Sequence, residues 1–383
     1  MSRITNVCLP HNTENSTQTQ LWWLQLDQER RIVDLGPMPG RTVTAGVSWS
    51  GDLLSPMGVD LQINGGLGLP FPELTDAALP RLLELLDQLW RDGVEAISPT
   101  LVTCGVEPLR QALSVLRQAR KLHQPYRCQL LGAHLEGPFL ADARRGAHPR
   151  QYLVSPSMAE LNARIRGFEQ EIALVTLAPE LDGAATLIEH LCGLGIRVAL
   201  GHSTADADTA NRAFDIGVTM LTHSFNAMPG LHHRNPGPIG AACQRDDIAL
   251  GLIADGVHVN PTMAVLLQRL AGNQLVLVSD ALAPYGLPEG DHRWDERLLL
   301  VKEGTCRLED GTLAGVTLPL LEGVKRLAHW GSNPVASIHA ATIAPREVLS
   351  STKGVQLKGR RLCELLRWHW DAEAKMLSWV HAV

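Results

Sequence analysis

Residues 172–281 repeat one pattern five times: IALVTLA (172–178), IRVALGHS (196–203), VTMLTHSF (218–225), IALGLIAD (248–255) and LVLVSDA (275–281), with longer stretches between them. Each run is short, continuous and rich in Val, Ile and Leu, the pattern of a parallel strand buried on both faces. Toward the N-terminus, QLLGAHLE (129–136), VEAISPT (94–100) and MGVDLQI (57–63) extend the series to eight. The intervening stretches include LPRLLELLDQLWRDG (79–93) and AATLIEHLCGLG (184–195). In the first, Leu79, Leu82, Leu83, Leu86 and Leu89 recur at helical spacing. Eight such strands alternating with helices predict an α/β fold, a (β/α)8 TIM-like barrel. The rival, an open doubly wound sheet, calls for a G-x-G-x-x-G after its first strand, and none is present.

Outside the barrel the pattern changes. LWWLQLD (21–27), RRIVDLG (30–36) and RTVTAGVSW (41–49) read as short strands, and VQLKGRRLCELLRWHWDAEAKMLSWVHAV (355–383) returns to β-like alternation. The expected organisation is therefore a barrel over residues 55–350 and a small β-sandwich built from both termini, residues 1–54 and 351–383.

Composition narrows the function classes. Of 383 residues, 45% are hydrophobic and 19% charged, which supports a sizeable core and argues against disorder. A net charge of −6, with no basic cluster interleaved with aromatics, argues against a nucleic-acid partner. No apolar run approaches the ~18 residues of a membrane span. The opening MSRITNVCLPHNTENSTQTQ has no apolar core of a secretion signal. Seven scattered cysteines without a C-x-x-C fit reduced thiols, so the expected location is cytoplasmic. Histidine is over-used: fifteen, against five phenylalanines and three tyrosines. Histidine is the commonest metal ligand and the usual acid or base near neutral pH.

In a (β/α)8 barrel the active site lies at the C-terminal ends of the strands. Polar residues gather there: Gln62 and Asn64 after the first strand, His134 and Glu136 on the third, His202 after the fifth, and His223 and Asn226 after the sixth. Asp255 and His258 follow the seventh strand and Asp280 the eighth. A single strand-end histidine is ordinarily a hydrogen-bonded, half-buried side chain. Histidines and carboxylates coinciding across five strands suit a hydrolytic metal site with one or two ions. Gln62 and Asn64 stand where a His-x-His clamp would hold a second ion, and amides bind zinc poorly, which favours one.

The segments GVDLQINGG (58–66), GAHLEGPFL (132–140), LAPE (177–180), LGHSTA (200–205), THSFNAMPG (222–230), RNPGPIGA (234–241), ADGVHV (254–259) and VSDALAP (278–284) resemble, in order and spacing, the N-acetylglucosamine-6-phosphate deacetylases of the amidohydrolase superfamily. The likeness runs from about Pro56 to about Gly315; the tails match only in general character. It implies a metal-dependent barrel with a β-sandwich from both termini. It also implies one divalent ion per subunit, Zn2+ or Fe2+, held by Glu136, His202 and His223, with Gln62 contacting it through water.

The same resemblance implies Asp280 as the catalytic acid and base and His148, with the backbone of Ala147, at the acetyl carbonyl. Asn226 and Ala227 fall at the phosphate, and Leu313 at the acetyl methyl group. Arg234 and His258 are implied at the phosphate across the interface of a homodimer. The expected reaction is hydrolysis of N-acetyl-D-glucosamine 6-phosphate to D-glucosamine 6-phosphate and acetate, in amino-sugar catabolism or cell-wall recycling. Two alternatives stay open: another N-acetyl sugar phosphate such as N-acetylgalactosamine 6-phosphate, or a non-catalytic metal-binding barrel. LVKEGTCRLEDGTLAGV (300–316) reads as a hairpin leading to the acetyl pocket, with Gly315-Val316 where the family commonly has Gly-Ser. His134 is expected beside Glu136, and the other ten histidines at the surface or in the terminal domain.

Overall fold

The computed structural model describes residues 2–10, 20–38, 46–349 and 356–383. Eight parallel strands form the expected barrel: β1 (Gly58–Ile63), β2 (Val94–Val102), β3 (Ala133–Glu136), β4 (Ile172–Leu177), β5 (Arg197–Leu200), β6 (Val218–Leu221), β7 (Ala249–Ile253) and β8 (Leu275–Val278). Each pairs with its sequence neighbour in parallel. Just beyond the strands, the Asp280 N–H donates to the Gln62 carbonyl (2.8 Å) and the Asn64 N–H to the Ala281 carbonyl (2.7 Å), tying the end of the series to its beginning. Asp60 adds to this seam from inside: its Oδ1 accepts from the Ser279 N–H at 3.2 Å, and burial raises its pKa to about 7.

The helix over Leu79–Arg91 packs its leucine stripe on the barrel, burying Leu82, Leu85, Leu86 and Leu89. Leu79 and Leu83 are only partly buried, because Leu85 takes the central place. The third run is broken: Gln129–Leu130 pairs with β2 separately, and β3 starts only at Ala133.

Seven strands from both ends of the chain join one further sheet: Ser2–Cys8, Leu21–Leu26, Ile32–Pro37, Val47–Ser48, Leu53–Pro56, Leu365–Asp371 and Met376–His381. Leu365–Asp371 runs antiparallel to Leu53–Pro56, with Trp368 opposite Leu53, so the two termini share the sheet as expected. The unit has its own core, including Ile4, Leu24, Ile32, Trp49, Leu54 and Leu365. Of the expected strand RTVTAGVSW, residues 41–45 lie outside the described residues. Glu95, on β2, accepts from both Arg346 and Arg360.

One element exceeds the expectation. The hairpin of residues 300–316 belongs to a four-stranded antiparallel sheet, Gly290–Trp294, Arg297–Lys302, Thr305–Leu308 and Leu313–Val316. Its first strand, GDHRW, is mostly exposed and carries no buried alternation to betray it. The last strand docks beside β8: the Val316 N–H donates to the Asp280 carbonyl (3.2 Å) and the Leu282 N–H to the Val316 carbonyl (2.9 Å). Gly315 makes this possible, since a Cβ there would lie 2.7 Å from the Asp280 carbonyl oxygen. Among the described residues no helix is long and apolar enough to cross a membrane. Cys104, Cys128, Cys192, Cys243, Cys306 and Cys363 carry free thiols. His339, expected at the surface, is buried in the helix Pro334–Thr342.

Gly201, between β5 and His202, faces the barrel interior. A Cβ there would meet Thr222 Cβ at 2.7 Å and Thr176 Cγ2 at 2.8 Å. Gly201→Ala is expected to cost about 1–3 kcal/mol of stability through overpacking, read as a lowered midpoint in urea unfolding.

Candidate active site

Three strand ends bring three electron-pair donors together. Glu136 closes β3, while His202 and His223 follow β5 and β6 by two residues. His202 Nε2 and His223 Nε2 each lie 3.1 Å from Glu136 Oε1, and the two nitrogens lie 3.1 Å apart. All three side chains are buried. His202, His223 and Asp280 take positive φ angles of 48°, 28° and 51°, a region that L-residues seldom occupy. These turns direct the side chains into the barrel mouth rather than along the strands.

The hydrogen bonds set the protonation. His202 Nδ1 sits 2.9 Å from the Arg144 carbonyl, which can only accept. The ring proton therefore resides on Nδ1, and Nε2 turns a lone pair toward Glu136 and His223. Burial alone would raise the Glu136 carboxyl, but without a cation in the site the two facing imidazoles bind protons and donate to it, which outweighs burial and holds its pKa well below the ordinary value. A carboxylate oxygen and imidazole lone pairs converging at 3.1 Å call for a cation among them. Tetrahedral zinc with bonds of 2.0–2.2 Å has ligand-to-ligand edges of about 3.3–3.6 Å, a few tenths of an ångström above those seen. The trio fits a divalent metal.

His148 offers a second, looser enclosure: ligand atoms of Glu136, His148 and His202 all lie within 4.8 Å of one another. Its Nε2 stands 4.0 Å from Glu136 Oε2, outside the tight trio. The Thr103 hydroxyl, 2.9 Å from Nδ1, fixes the ring, which packs edge-on to His202 with centroids 4.4 Å apart. Burial, reinforced by the charge of His202, lowers the His148 pKa to about 3, so the ring is neutral at ordinary pH. A neutral imidazole at the rim suits hydrogen bonding to a substrate better than metal ligation at that distance.

Asp280 is held on the other side. Asn64 Nδ2 donates to its Oδ1 at 2.7 Å, and Gln62 Nε2 donates both to Asp280 Oδ1 (3.3 Å) and to Glu136 Oε1 (3.2 Å). The amide pair thus spaces two carboxylates that would otherwise repel. Burial and the nearby charge of Glu136 raise the Asp280 pKa to about 6, a value suited to exchanging protons near neutrality. The Oε1 of Gln62 and Oδ1 of Asn64 are buried without a protein partner.

Above these groups opens a cavity of about 350 Å3. Glu136, Ala147, His148, His202, His223, Asn226, Ala227, His258, Asp280 and Leu313 all line it, and Gln62 lies beneath through its hydrogen bonds. Arg234 does not: it sits on an exposed loop away from this cavity. His258 lines the cavity of its own chain, its Nδ1 bonded to Asp255 Oδ2 at 2.7 Å. The Asn226 amide Nδ2 is already engaged by the carbonyls of His223 (3.2 Å) and Ser224 (3.3 Å). His134 bonds Thr100 and Thr176 rather than Glu136, inside a hydroxyl chain that continues to Thr222.

Several supporting residues escaped the sequence reading. Thr103 was passed over because β2 was expected to end at residue 100 rather than Val102; with the true boundary it is another strand-end polar group. Glu180 accepts from the Ser203 hydroxyl (2.6 Å) and the Thr204 N–H (2.5 Å), fixing the turn after His202. Arg297 donates to the Ala147 carbonyl (2.7 Å), and Trp294 lines the cavity. Both come from the antiparallel sheet, whose first strand had no sequence signature.

Comparison with known proteins agrees with this site. No family model matches the chain. The mouse N-acetylglucosamine-6-phosphate deacetylase is 37% identical over 319 residues, covering 79% of this chain and 76% of the relative. The N-acetylgalactosamine-6-phosphate deacetylase of Escherichia coli O157:H7 is 34% identical over 337 residues, 86% of this chain and 87% of the relative. The chain belongs to the N-acetylglucosamine-6-phosphate deacetylase family. A mutant of the Mycobacterium smegmatis member, solved in complex with N-acetyl-D-glucosamine-6-phosphate, superposes with a TM-score of 0.81 at 26% identity, over 98% of this chain and 96% of that one. These relatives are named as deacetylases of amino-sugar phosphates.

A base at Asp280 has a pH signature. Its active form is the carboxylate, which protonates as pH falls through its pKa, so activity should drop on the acid side. The value near 6 belongs to the metal-free site. A bound cation favours the carboxylate, so the acid limb of kcat/KM should lie at or below about pH 6. Asp280→Asn should cost at least about 100-fold in kcat with metal content unchanged.

Proposed function

We propose that this chain hydrolyses the acetamide of N-acetyl-D-glucosamine 6-phosphate, giving D-glucosamine 6-phosphate and acetate. The observation that carries the reading is the buried trio of Glu136, His202 and His223 at 3.1 Å spacing, with Asp280 beside it, in one cavity. The trio would hold one divalent ion per subunit, Zn2+ or Fe2+, its ligand types suiting both. When bound, such an ion activates water and polarises the amide carbonyl.

The remaining chemistry falls to the chain's own side chains. Asp280, steadied by Asn64 and Gln62, accepts the proton of the attacking water and returns it to the departing nitrogen. His148, fixed by Thr103, donates to the acetyl oxygen, with the Ala147 backbone alongside. Leu313 walls the methyl group. Asn226 and Ala227 border the sugar phosphate, with the bonded Asn226 amide holding the turn and leaving backbone groups for contact. His258 presents Nε2 to the cavity while Asp255 holds Nδ1. Gln62 supports a water-mediated metal contact from below.

Arg234 is exposed and outside its own cavity. A homodimer in which it enters the neighbouring subunit's cavity accounts for a cation placed there. We further place the protein in the cytoplasm, in amino-sugar catabolism or cell-wall recycling, with the catalytic barrel spanning residues 55–350. The 4-epimer is the second reading, favoured by the Escherichia coli O157:H7 relative named for N-acetylgalactosamine 6-phosphate.

Purified protein loaded with zinc or ferrous iron should release stoichiometric acetate from N-acetyl-D-glucosamine 6-phosphate. His223→Ala should reduce turnover at least about 100-fold together with loss of bound metal. Faster turnover of the 4-epimer would move the assignment to that substrate. Absence of acetate release from both, with metal bound, would leave a binding barrel without catalysis.

A further inference from the structure

The proposed substrate carries a phosphate, and the cavity's fixed charges are unfavourable to it. Glu136 and Asp280 contribute two carboxylates, which a divalent ion would only neutralise. A phosphate dianion entering such a site needs a cation of its own. Among the described residues lining the cavity, Arg144 is the single lysine or arginine. It ends the short turn Asp142–Arg144, and its carbonyl accepts from His202 Nδ1 at 2.9 Å, so its chain root is fixed one hydrogen bond from the metal trio.

The surrounding charges leave its guanidinium available. The nearby Asp142 carboxylate is taken by Arg145 (3.2 Å) and Arg150 (2.8 Å). Among the described residues the Arg144 side chain makes no ion pair or hydrogen bond, and the residue is exposed at the cavity rim. Arg234 lies on an exposed loop and does not line its own chain's cavity.

We propose that Arg144 binds the phosphate of the amino-sugar phosphate from within the same chain, as a specificity-determining residue at the cavity mouth. The inference rests on the functional reading above. It makes the phosphate subsite partly self-sufficient within one subunit. Substitution leaves the backbone carbonyl that orients His202 in place, so the charge can be tested apart from the turn.

The test compares metal-loaded wild type with Arg144→Lys, Arg144→Gln and Arg144→Glu. It measures kcat/KM on N-acetyl-D-glucosamine 6-phosphate and inhibition by inorganic phosphate, at low and high salt. The expected order follows charge: Lys within about threefold of wild type, Gln about tenfold lower and Glu lower still, mostly in KM. The phosphate inhibition constant should rise in the same order, and the differences should shrink with salt. Equal values for all variants would overturn the proposal. So would equal losses in all three with phosphate inhibition unmoved, which would assign Arg144 to holding the turn. Should wild type itself release no acetate, the functional reading fails, and calorimetric binding of inorganic phosphate to the same variants still decides the role of Arg144.

Discussion

Three potential ligand atoms held 3.1 Å apart in a buried site constitute the constraint on which the rest of the structure depends. Without a cation between them, a carboxylate and two imidazoles would repel or bind protons. The fold meets this by fixing each donor from outside. The Arg144 carbonyl settles the tautomer of His202, Glu180 pins the turn that follows it, and Gln62 keeps Glu136 and Asp280 bridged by one amide. The positive φ angles at His202, His223 and Asp280 belong to the same arrangement, because strained backbone persists where the surroundings over-determine it.

The antiparallel sheet of residues 290–316 extends that control to the substrate side. Its last strand hydrogen-bonds to the backbone of Asp280 and Leu282, and its second strand holds the Ala147 carbonyl through Arg297. Arg297 is itself fixed by Asp295 at 2.6 Å and lies over the Trp294 ring at 4.5 Å. One small sheet therefore touches Asp280, the His148 loop and the cavity wall at Leu313. Displacing it would disturb all three together, which links the shape of the cavity wall to the placement of Asp280 and His148.

Much of this was legible in the sequence because barrel strands impose two local signatures, apolar continuity and polar ends. The eight runs and the strand-end residues Glu136, His202, His223 and Asp280 followed from those signatures, while His148, on a loop, came only from the resemblance to the deacetylase family. Other features were not legible, for identifiable reasons. GDHRW forms a strand by pairing at the rim rather than by burial, so its composition carries no period. Thr103 was hidden by a two-residue error in a strand boundary. Arg144 and Arg145 are adjacent and identical in type, and only tertiary contacts separate them: Arg145 pairs with Asp142, while Arg144 lines the cavity.

The most direct measurement of the central claim is anomalous diffraction at the absorption edge of the bound metal. The account predicts a single peak per subunit, about 2.0–2.2 Å from Glu136 Oε1, His202 Nε2 and His223 Nε2, with His148 outside bonding distance. A peak bonded to His148 in place of His223, or an active protein with no peak at these residues, would contradict it.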